Sequence, residues 1–296
     1  MDLANYFRGL LHRIEPTNTH VKTAKTAHEL LRDQLRDDVD VGQAHQETYL
    51  SGSYARHTAI KDINDVDVIC VLDIDIAEEG SKPGAVLAWL VQSLRKYYGH
   101  VDLQGRSAGI TTENGFCLDV VPGTPQQSTG EELWIPDRDA QMWVPTHPKG
   151  QIDYAARKNA SCDGFYVQIV KILKHWRDRL KTERSRPRSY VLEALVGHVM
   201  PASPPDSHAA AVVGVLEDLW SAYGAWAGSG RVPSIVDPAY PAVTVSKRWT
   251  SEEFDAFMAE VKSAAATARA ARNEADQAQS AKLWRGLFGQ EFAPLD

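Results

Sequence analysis

Residues 52–73, GSYARHTAIKDINDVDVICVLD, carry the pattern that decides the fold. The stretch opens on a Gly-Ser pair and continues into a mostly apolar segment, in which a single residue separates Asp65 from Asp67. Side chains at positions i and i+2 of a strand project from the same face, so the two carboxylates would repel each other unless a cation lay between them. The spacing therefore predicts a magnesium site at the start of a strand.

The segment has the composition of a central strand. Its even positions form an unbroken apolar row from Val66 to Ile76, and on its odd positions aspartates flank Ile69 and Val71. A row of this kind predicts a strand that is buried in the sheet and polar at its ends on one face.

Helical and strand-like stretches alternate around this strand. Residues 19–37 and 82–99 have helical signals, whereas residues 100–111 and 115–121 are strand-like. The first half of the chain is therefore predicted to be a mixed αβ unit.

The second half has a different pattern. From about residue 151 the strand signals become few, and helical periodicity continues into an alanine-rich run at residues 251–281. We expect two lobes that share a cleft, formed by residues 1–150 and residues 151–296.

Bulk composition narrows the class of protein. The 296 residues are 43% hydrophobic and 24% charged, which is ordinary for a globular protein, and the formal charge of −7 argues against a protein that mainly coats nucleic acid. Three distant cysteines suggest neither a disulfide framework nor a zinc pattern. With no signal-peptide pattern and no long apolar run, we expect a soluble cytoplasmic protein without membrane contact.

Five residues form a candidate phosphoryl-transfer site. Asp119, in the apolar run GFCLDVVPG, supplies a third strand-borne carboxylate beside Asp65 and Asp67. Two-metal phosphoryl or nucleotidyl transfer needs several carboxylates converging on two cations. Gly52 would let the backbone close on a triphosphate, and the hydroxyl and amide of Ser53 could bind a phosphate oxygen.

A structural interpretation of the aspartates competes with this one. An Asp-x-Asp pair at a strand end is often only a polar terminus, and the same segment has a second pair, Asp73 and Asp75, without a preceding Gly-Ser. We interpret that second pair as a solvated strand exit. The Gly-Ser spacing and Asp119 favour a metal site for the first pair.

The chain resembles the DNA-polymerase-β-like nucleotidyltransferases, and within them the bacterial CD-NTases related to cyclic GMP-AMP synthase and oligoadenylate synthetase. The resemblance lies in GSYARHTAIKDINDVDV, in CLDVVPG and in LWIPDRDAQMWVPTHPKGQI, and continues in IVKILKHW, SYVLEAL and AKLWRGLFGQEF. It covers nearly the whole chain. It implies an α+β fold with a polymerase-β-like catalytic palm, residues 1–150, and a C-terminal helical lobe of the oligoadenylate synthetase type, residues 151–296.

The resemblance also implies roles for individual residues. Asp65, Asp67 and Asp119 would bind two Mg²⁺ or Mn²⁺ ions, and Gly52 and Ser53 would form the phosphate turn. Three residues of the second lobe match nucleotide-binding positions of the family: Lys174 and Ser189 on the triphosphate, and Tyr190 on the donor base.

A basic run from Lys171 to Arg188 could raise the positive potential near nucleotides or RNA, but a solvated helix and loop explain it equally well.

The implied activity is the joining of NTPs, whether ATP, GTP or pyrimidine NTPs, into a cyclic or short linear oligonucleotide. Bacterial relatives of this kind act in anti-phage signalling, where the product activates an effector. No Cys/His cluster resembles the zinc insertion used for DNA sensing, so zinc-dependent DNA sensing is not implied. Two alternatives stay open: a nucleotidyltransferase that modifies tRNA or a protein, and a catalytically silent nucleotide-binding scaffold. The bases, ring size and linkage of a product do not follow from the sequence.

Overall fold

The computed structural model describes residues 1–61, 65–127 and 130–295, apart from the side chain of residue 184. Contacts divide the chain into a sheet unit, residues 16–57 and 62–152, and a helical unit, residues 1–15, 58–61 and 153–296. None of the helices in the described residues combines the length and the hydrophobicity that a membrane span requires.

The sheet unit contains seven strands in its described residues. They are β1 (His45–Leu50), β2 (Asp65–Leu72), β3 (Val101–Leu103), β4 (Ala108–Thr111), β5 (Cys117–Pro125), β6 (Leu133–Asp137) and β7 (Met142–Thr146). The sheet has the order β1-β2-β5-β4-β3, with β2 and β5 parallel and the other pairs antiparallel. The end of β5 also pairs with the β6–β7 hairpin.

The predicted central strand is confirmed. The side chains of Val66, Val68, Cys70 and Leu72 are 0–1% exposed. They face α2 (Asn18–Asp37) and α4 (Pro83–Leu94), whose apolar residues complete the main core of the unit. A helix covers this face because alternation puts every even residue on it.

The opposite face of β2 carries both apolar residues and the aspartates. Ile69 and Val71 pack there with Leu133 in a smaller cluster. Asp67 belongs to the same face, since it shares the odd parity of these two residues. The face is therefore apolar toward the end of β2 and acidic at its start.

Two helices begin with recognisable local signals. Helix α2 starts after Thr17, whose hydroxyl oxygen accepts a hydrogen bond from the His20 amide at 3.2 Å. Helix α4 starts at Pro83, whose fixed φ suits the first helical position. The short α3 (Gly52–Ala55) follows β1 directly.

The helical unit confirms the pattern of the second half of the sequence. Its helices are α1 (Ala4–Ile14), α6 (Phe165–Asp178), α7 (Ser189–Val199), α8 (His208–Tyr223), α9 (Ser251–Asn273) and α10 (Gln277–Phe288), and α5 (Pro148–Ser161) runs across the boundary between the units.

The division between the units differs from the predicted one at the N-terminus. We expected residues 1–150 to form one lobe, but α1 belongs to the helical unit. Phe7 is fully buried, with its ring centroid 5.1 Å from that of Trp284 and 5.0 Å from that of Phe292. Burial of this apolar face, rather than position in the chain, decides which unit α1 joins.

Candidate active site

The Gly-Ser turn lies against the aspartate strand. Gly52 has φ +63°, and a Cβ built on it would lie 1.7 Å from Oδ2 of Asp67. The Ser51 amide donates a 2.8 Å hydrogen bond to the Asp67 carbonyl oxygen. The sequence predicted a glycine that admits a triphosphate; in the structure its missing side chain makes room for the Asp67 carboxylate. Ser53 is half-buried in α3.

The register of the two parallel strands brings the aspartates together. Asp67 is paired with Asp119, and Asp65 with Cys117. Asp65 is exposed, whereas Asp67 and Asp119 are half-buried. Burial, followed by the charges of Asp65 and Asp67, raises the pKa of Asp119 to about 6. Asp65 and Asp67 are therefore close enough to Asp119 to destabilise its charged form.

Two further residues hold Asp119 in place, and sequence reasoning missed both. The side-chain amide of Gln104 donates to Oδ1 of Asp119 at 2.9 Å, and the Ser107 hydroxyl donates to the Gln104 carbonyl oxygen at 2.7 Å. Gly109 lies opposite Asp119 in the sheet, and a Cβ there would come within 2.7 Å of the Gln104 amide nitrogen. A glycine inside a strand is the sequence signal that could have indicated this close approach.

The donor chemistry of the aspartates fits a divalent cation. Carboxylate oxygens are the ligands that Mg²⁺ prefers, and a cation would offset both the burial and the repulsion that raise the pKa of Asp119. Among the described residues, however, no three His, Cys, Asp or Glu side chains are already gathered into a set that could hold a metal ion. One oxygen of Asp119 is instead bonded to Gln104.

The second Asp-x-Asp pair has a different environment. Asp73 and Asp75 follow the last residue of β2, Leu72, and both are exposed. Oδ1 of Asp75 accepts a hydrogen bond from the Ala77 amide at 2.9 Å. This position agrees with the predicted solvated strand exit.

In the helical unit, Lys174 is only 2% exposed. Its ammonium donates to Oε1 of Glu193 at 2.6 Å, and to the carbonyl and hydroxyl oxygens of Thr58 at 3.0 and 3.3 Å. These contacts occupy the three donors of a lysine. The predicted phosphate contact of Lys174 stays a prediction, and it would require exchange of one of these bonds. Glu193 was missed, although a single acid within the apolar stretch SYVLEALVGHV is a signal of a buried ion pair.

Ser189 and Tyr190 begin α7, and both have partners in the helical unit. Ser189 is exposed, and its hydroxyl oxygen accepts a 2.9 Å hydrogen bond from Nη1 of Arg177. The Tyr190 hydroxyl donates to Oδ1 of the buried Asp237 at 2.7 Å. The roles of Ser189 and Tyr190 in nucleotide binding stay predictions.

Much of the basic run has structural contacts. Lys171 lies 2.7 Å from Oε1 of Glu15, Lys174 pairs with Glu193, and Arg186 donates to the Leu180 carbonyl oxygen. These members of the run therefore have structural contacts in the helical unit, in addition to their positive charge.

Comparison with known proteins gives the class. The Second Messenger Oligonucleotide or Dinucleotide Synthetase domain matches residues 1–159. A cyclic AMP-AMP-AMP synthase from an Acinetobacter species is 31% identical over 99% of this chain and 86% of its own length. A cyclic AMP-AMP-GMP synthase from Enterobacter hormaechei is 27% identical over 99% of this chain and 92% of its own.

Solved structures show the same fold. CdnC from Escherichia coli with ATP has a TM-score of 0.80 at 17% identity, covering 99% of both chains. DncV, the cyclic AMP-GMP synthase of Vibrio cholerae, bound to nonhydrolyzable GTP, has a TM-score of 0.72 at 15% identity over 99% of this chain and 97% of its own. The predicted fold class is thereby confirmed.

Together these findings define a nucleotidyltransferase of the cyclic oligonucleotide synthase class. The silent-scaffold alternative loses its support, since the relatives are named as synthases. The chain belongs to the bacterial CD-NTase family, as the resemblance predicted.

Proposed function

We propose that this enzyme joins NTPs, with ATP among them, into a cyclic or short linear oligonucleotide second messenger in anti-phage signalling of the CBASS type. Pyrophosphate is the second product. The observation that carries the proposal within the structure is the pairing of Asp67 with Asp119 across β2 and β5, with Gly52 fitted against Asp67. The choice of ATP rests on the relatives, since both curated synthases incorporate AMP and the CdnC structure contains ATP.

The proposed mechanism assigns the metal to the acidic face of the sheet. Asp65, Asp67 and Asp119 would hold two Mg²⁺ or Mn²⁺ ions, a number taken from the family resemblance. When bound, the ions would lower the pKa of an attacking ribose hydroxyl and neutralise charge on the leaving pyrophosphate. Gln104 fixes one oxygen of Asp119. The other oxygen is then oriented for a ligand, because the carboxylate cannot rotate without losing this bond.

The remaining proposed roles concern the nucleotide. Ser53, Lys174 and Ser189 would bind phosphate oxygens, where a positive charge and hydroxyl donors stabilise the charge that develops in transfer. The Tyr190 ring would stack on the donor base, an interaction of about 1–3 kcal/mol per base. Its hydroxyl is bonded to Asp237, so the ring would lose little conformational freedom on stacking.

Product analysis tests the proposal. The purified protein is incubated with α-labelled NTPs and Mg²⁺ or Mn²⁺, treated with phosphatase, and the products are separated. Asp65→Asn/Asp67→Asn is compared with Asp73→Asn/Asp75→Asn, which removes the same charges from the exposed pair after β2. We expect a phosphatase-resistant small product from the wild type and the second variant, none from the first, and loss of product when ATP is omitted.

Other outcomes distinguish the alternatives. Label that appears in added tRNA or in protein, with no small product, would support the macromolecule-modifying alternative. Equal activity of the two double variants would contradict the assignment of the metal ligands. For the role in defence, the product is measured in cells before and after phage infection, and an amount that does not rise on infection would count against it.

A further inference from the structure

Helices α6 and α7 make two polar contacts at antiparallel positions. Lys174 of α6 bonds Glu193 of α7, and one turn further along α6, Arg177 bonds Ser189 at the start of α7. The first contact is enclosed, since Lys174 and Glu193 are each 2% exposed. The second joins a buried guanidinium to an exposed hydroxyl.

Arg177 holds the start of α7 from the inside of the helical unit. The residue is 8% exposed, and its Nη1 donates to the Ser189 hydroxyl oxygen at 2.9 Å and to the Pro187 carbonyl oxygen at 3.2 Å. Its Nε donates to Oδ1 of Asp178 at 2.7 Å, which fixes the guanidinium plane. One side chain therefore fixes both the backbone before α7 and the hydroxyl of its first residue.

The direction of this hydrogen bond determines what Ser189 can do. A guanidinium has donors and no acceptor, whereas a serine hydroxyl has one proton and two acceptor positions. The Arg177 bond uses an acceptor position, so the Ser189 proton must point to another group. Among the described residues Ser189 donates its proton to none, and its side chain is exposed. A neighbouring positive charge also strengthens the hydroxyl as a donor.

We infer that Arg177 is a positioning residue that sets Ser189 as a hydrogen-bond donor for a phosphate oxygen of the bound NTP. The inference rests on the proposed function, in which Ser189 binds the triphosphate. Arg177 acts through Ser189, with no contact of its own to the nucleotide. Without Arg177 the hydroxyl could rotate and donate to the Pro187 carbonyl oxygen or to water.

A double-mutant cycle on the full-length enzyme tests the inference, with the KM for ATP and the Kd for a non-hydrolysable ATP analogue as readouts. Ser189→Ala is expected to raise both about tenfold, as loss of a hydrogen bond to a charged group does. Arg177→Met should raise them about three- to tenfold in the wild-type background and have no further effect in the Ser189→Ala background. Arg177→Lys, which keeps a donor without the planar fork, should give intermediate values.

Ser185→Ala is the matched control. This serine is 1% exposed in the same loop, and its hydroxyl donates to the Thr182 carbonyl oxygen at 2.7 Å, whereas the hydrogen bonds of Arg177 go to Asp178, Pro187 and Ser189. The variant should lower the melting temperature and leave the KM and the Kd at their wild-type values. If Arg177→Met does not fold, the inference is tested with Arg177→Lys instead, by comparing its effect on the KM and the Kd with and without Ser189→Ala.

The outcomes separate this inference from the proposed function. An equal effect of the Arg177 variants with and without Ser189→Ala would show a general structural role and overturn the inference, as would unchanged KM and Kd in the wild-type background. A wild type that neither binds the analogue nor forms product would overturn the proposed function instead. If Ser189→Ala alone has no effect on either readout, the phosphate role of Ser189 fails, and the inference fails with it.

Discussion

Replacing Gly52 with alanine should disable the enzyme by displacing Asp67. The new Cβ would lie 1.7 Å from Oδ2 of Asp67, and 2.8 Å from its Cβ. An ordinary non-bonded contact needs roughly 3.4 Å or more, so the carboxylate must move by about 1.7 Å or more. A displacement of about 1 Å in an active site costs about 100-fold in rate. We therefore expect product formation to fall by about 100-fold or more.

The same substitution also has a backbone cost, which a second glycine measures separately. Gly52 has φ +63°, and a residue with a Cβ loses about 1–2 kcal/mol in the left-handed region. Gly115, in the turn before β5, has φ +75° with nothing within 4 Å of an added Cβ. Gly115→Ala therefore shares the backbone strain and lacks the clash.

The assay compares the two variants in rate of product formation and in free energy of unfolding by denaturant. Both should lose about 1–2 kcal/mol of stability from the backbone, with a further loss for Gly52→Ala. Only Gly52→Ala should lose activity. If its rate stays within about twofold of the rate of Gly115→Ala, the close fit between Gly52 and Asp67 has no bearing on catalysis, and the reasoning is refuted.

Four further predictions concern Asp119 and Lys174 and the side chains that contact them. Gln104→Ala removes the 2.9 Å bond to Asp119 and should raise the Mg²⁺ concentration for half-maximal activity about 10- to 100-fold, so an unchanged metal titration would contradict its positioning role. Because the pKa of Asp119 is raised to about 6, protons should compete with the metal, and that Mg²⁺ concentration should rise about tenfold from pH 7 to pH 5. In the metal-free protein the folded carboxyl binds a proton that the unfolded chain releases near pH 4. Its contribution therefore makes the free energy of unfolding fall as pH rises from about 4 to about 6. Denaturant titrations in the presence of a chelator measure this slope, and a slope of the opposite sign would contradict the prediction. Lys174→Met removes the ammonium that pairs with the buried Glu193 carboxylate and should cost about 3–5 kcal/mol of stability, most of which Lys174→Met/Glu193→Leu should restore. If that double variant keeps the wild-type KM for ATP, Lys174 does not bind the triphosphate.

Local pattern was enough to predict the elements that carry the site. Alternation in residues 65–72 determines which side chains face the helices, so β2 and the face of Asp67 followed from the sequence alone. The helical second half followed from its periodicity. A pattern of this kind works because the period of a strand or helix fixes which face each side chain takes.

Contacts between distant segments could not be predicted in the same way. The bond from Gln104 to Asp119 depends on the antiparallel register of β4 and β5, and the pairing of Lys174 with Glu193 depends on how α6 meets α7. Phe7 packs on Trp284 from the other end of the chain, which is why the predicted boundary misplaced α1. Periodicity contains no information about which distant element a face will meet.

The two Asp-x-Asp pairs show that the same motif can lie in two different environments. Both have the same spacing in one run of sequence, but register gives Asp67 a third carboxylate, Asp119, as its neighbour, and Gly52 leaves room beside it. The segment at Asp73 lies beyond the end of β2, where the hydroxyl of Thr124 donates to the residue 74 carbonyl oxygen at 3.0 Å. A neutral hydroxyl bonded to backbone neither repels nor supplements the second pair. The chemistry of an Asp-x-Asp pair therefore depends on the neighbouring strand, and a third acid in parallel register is the feature to seek.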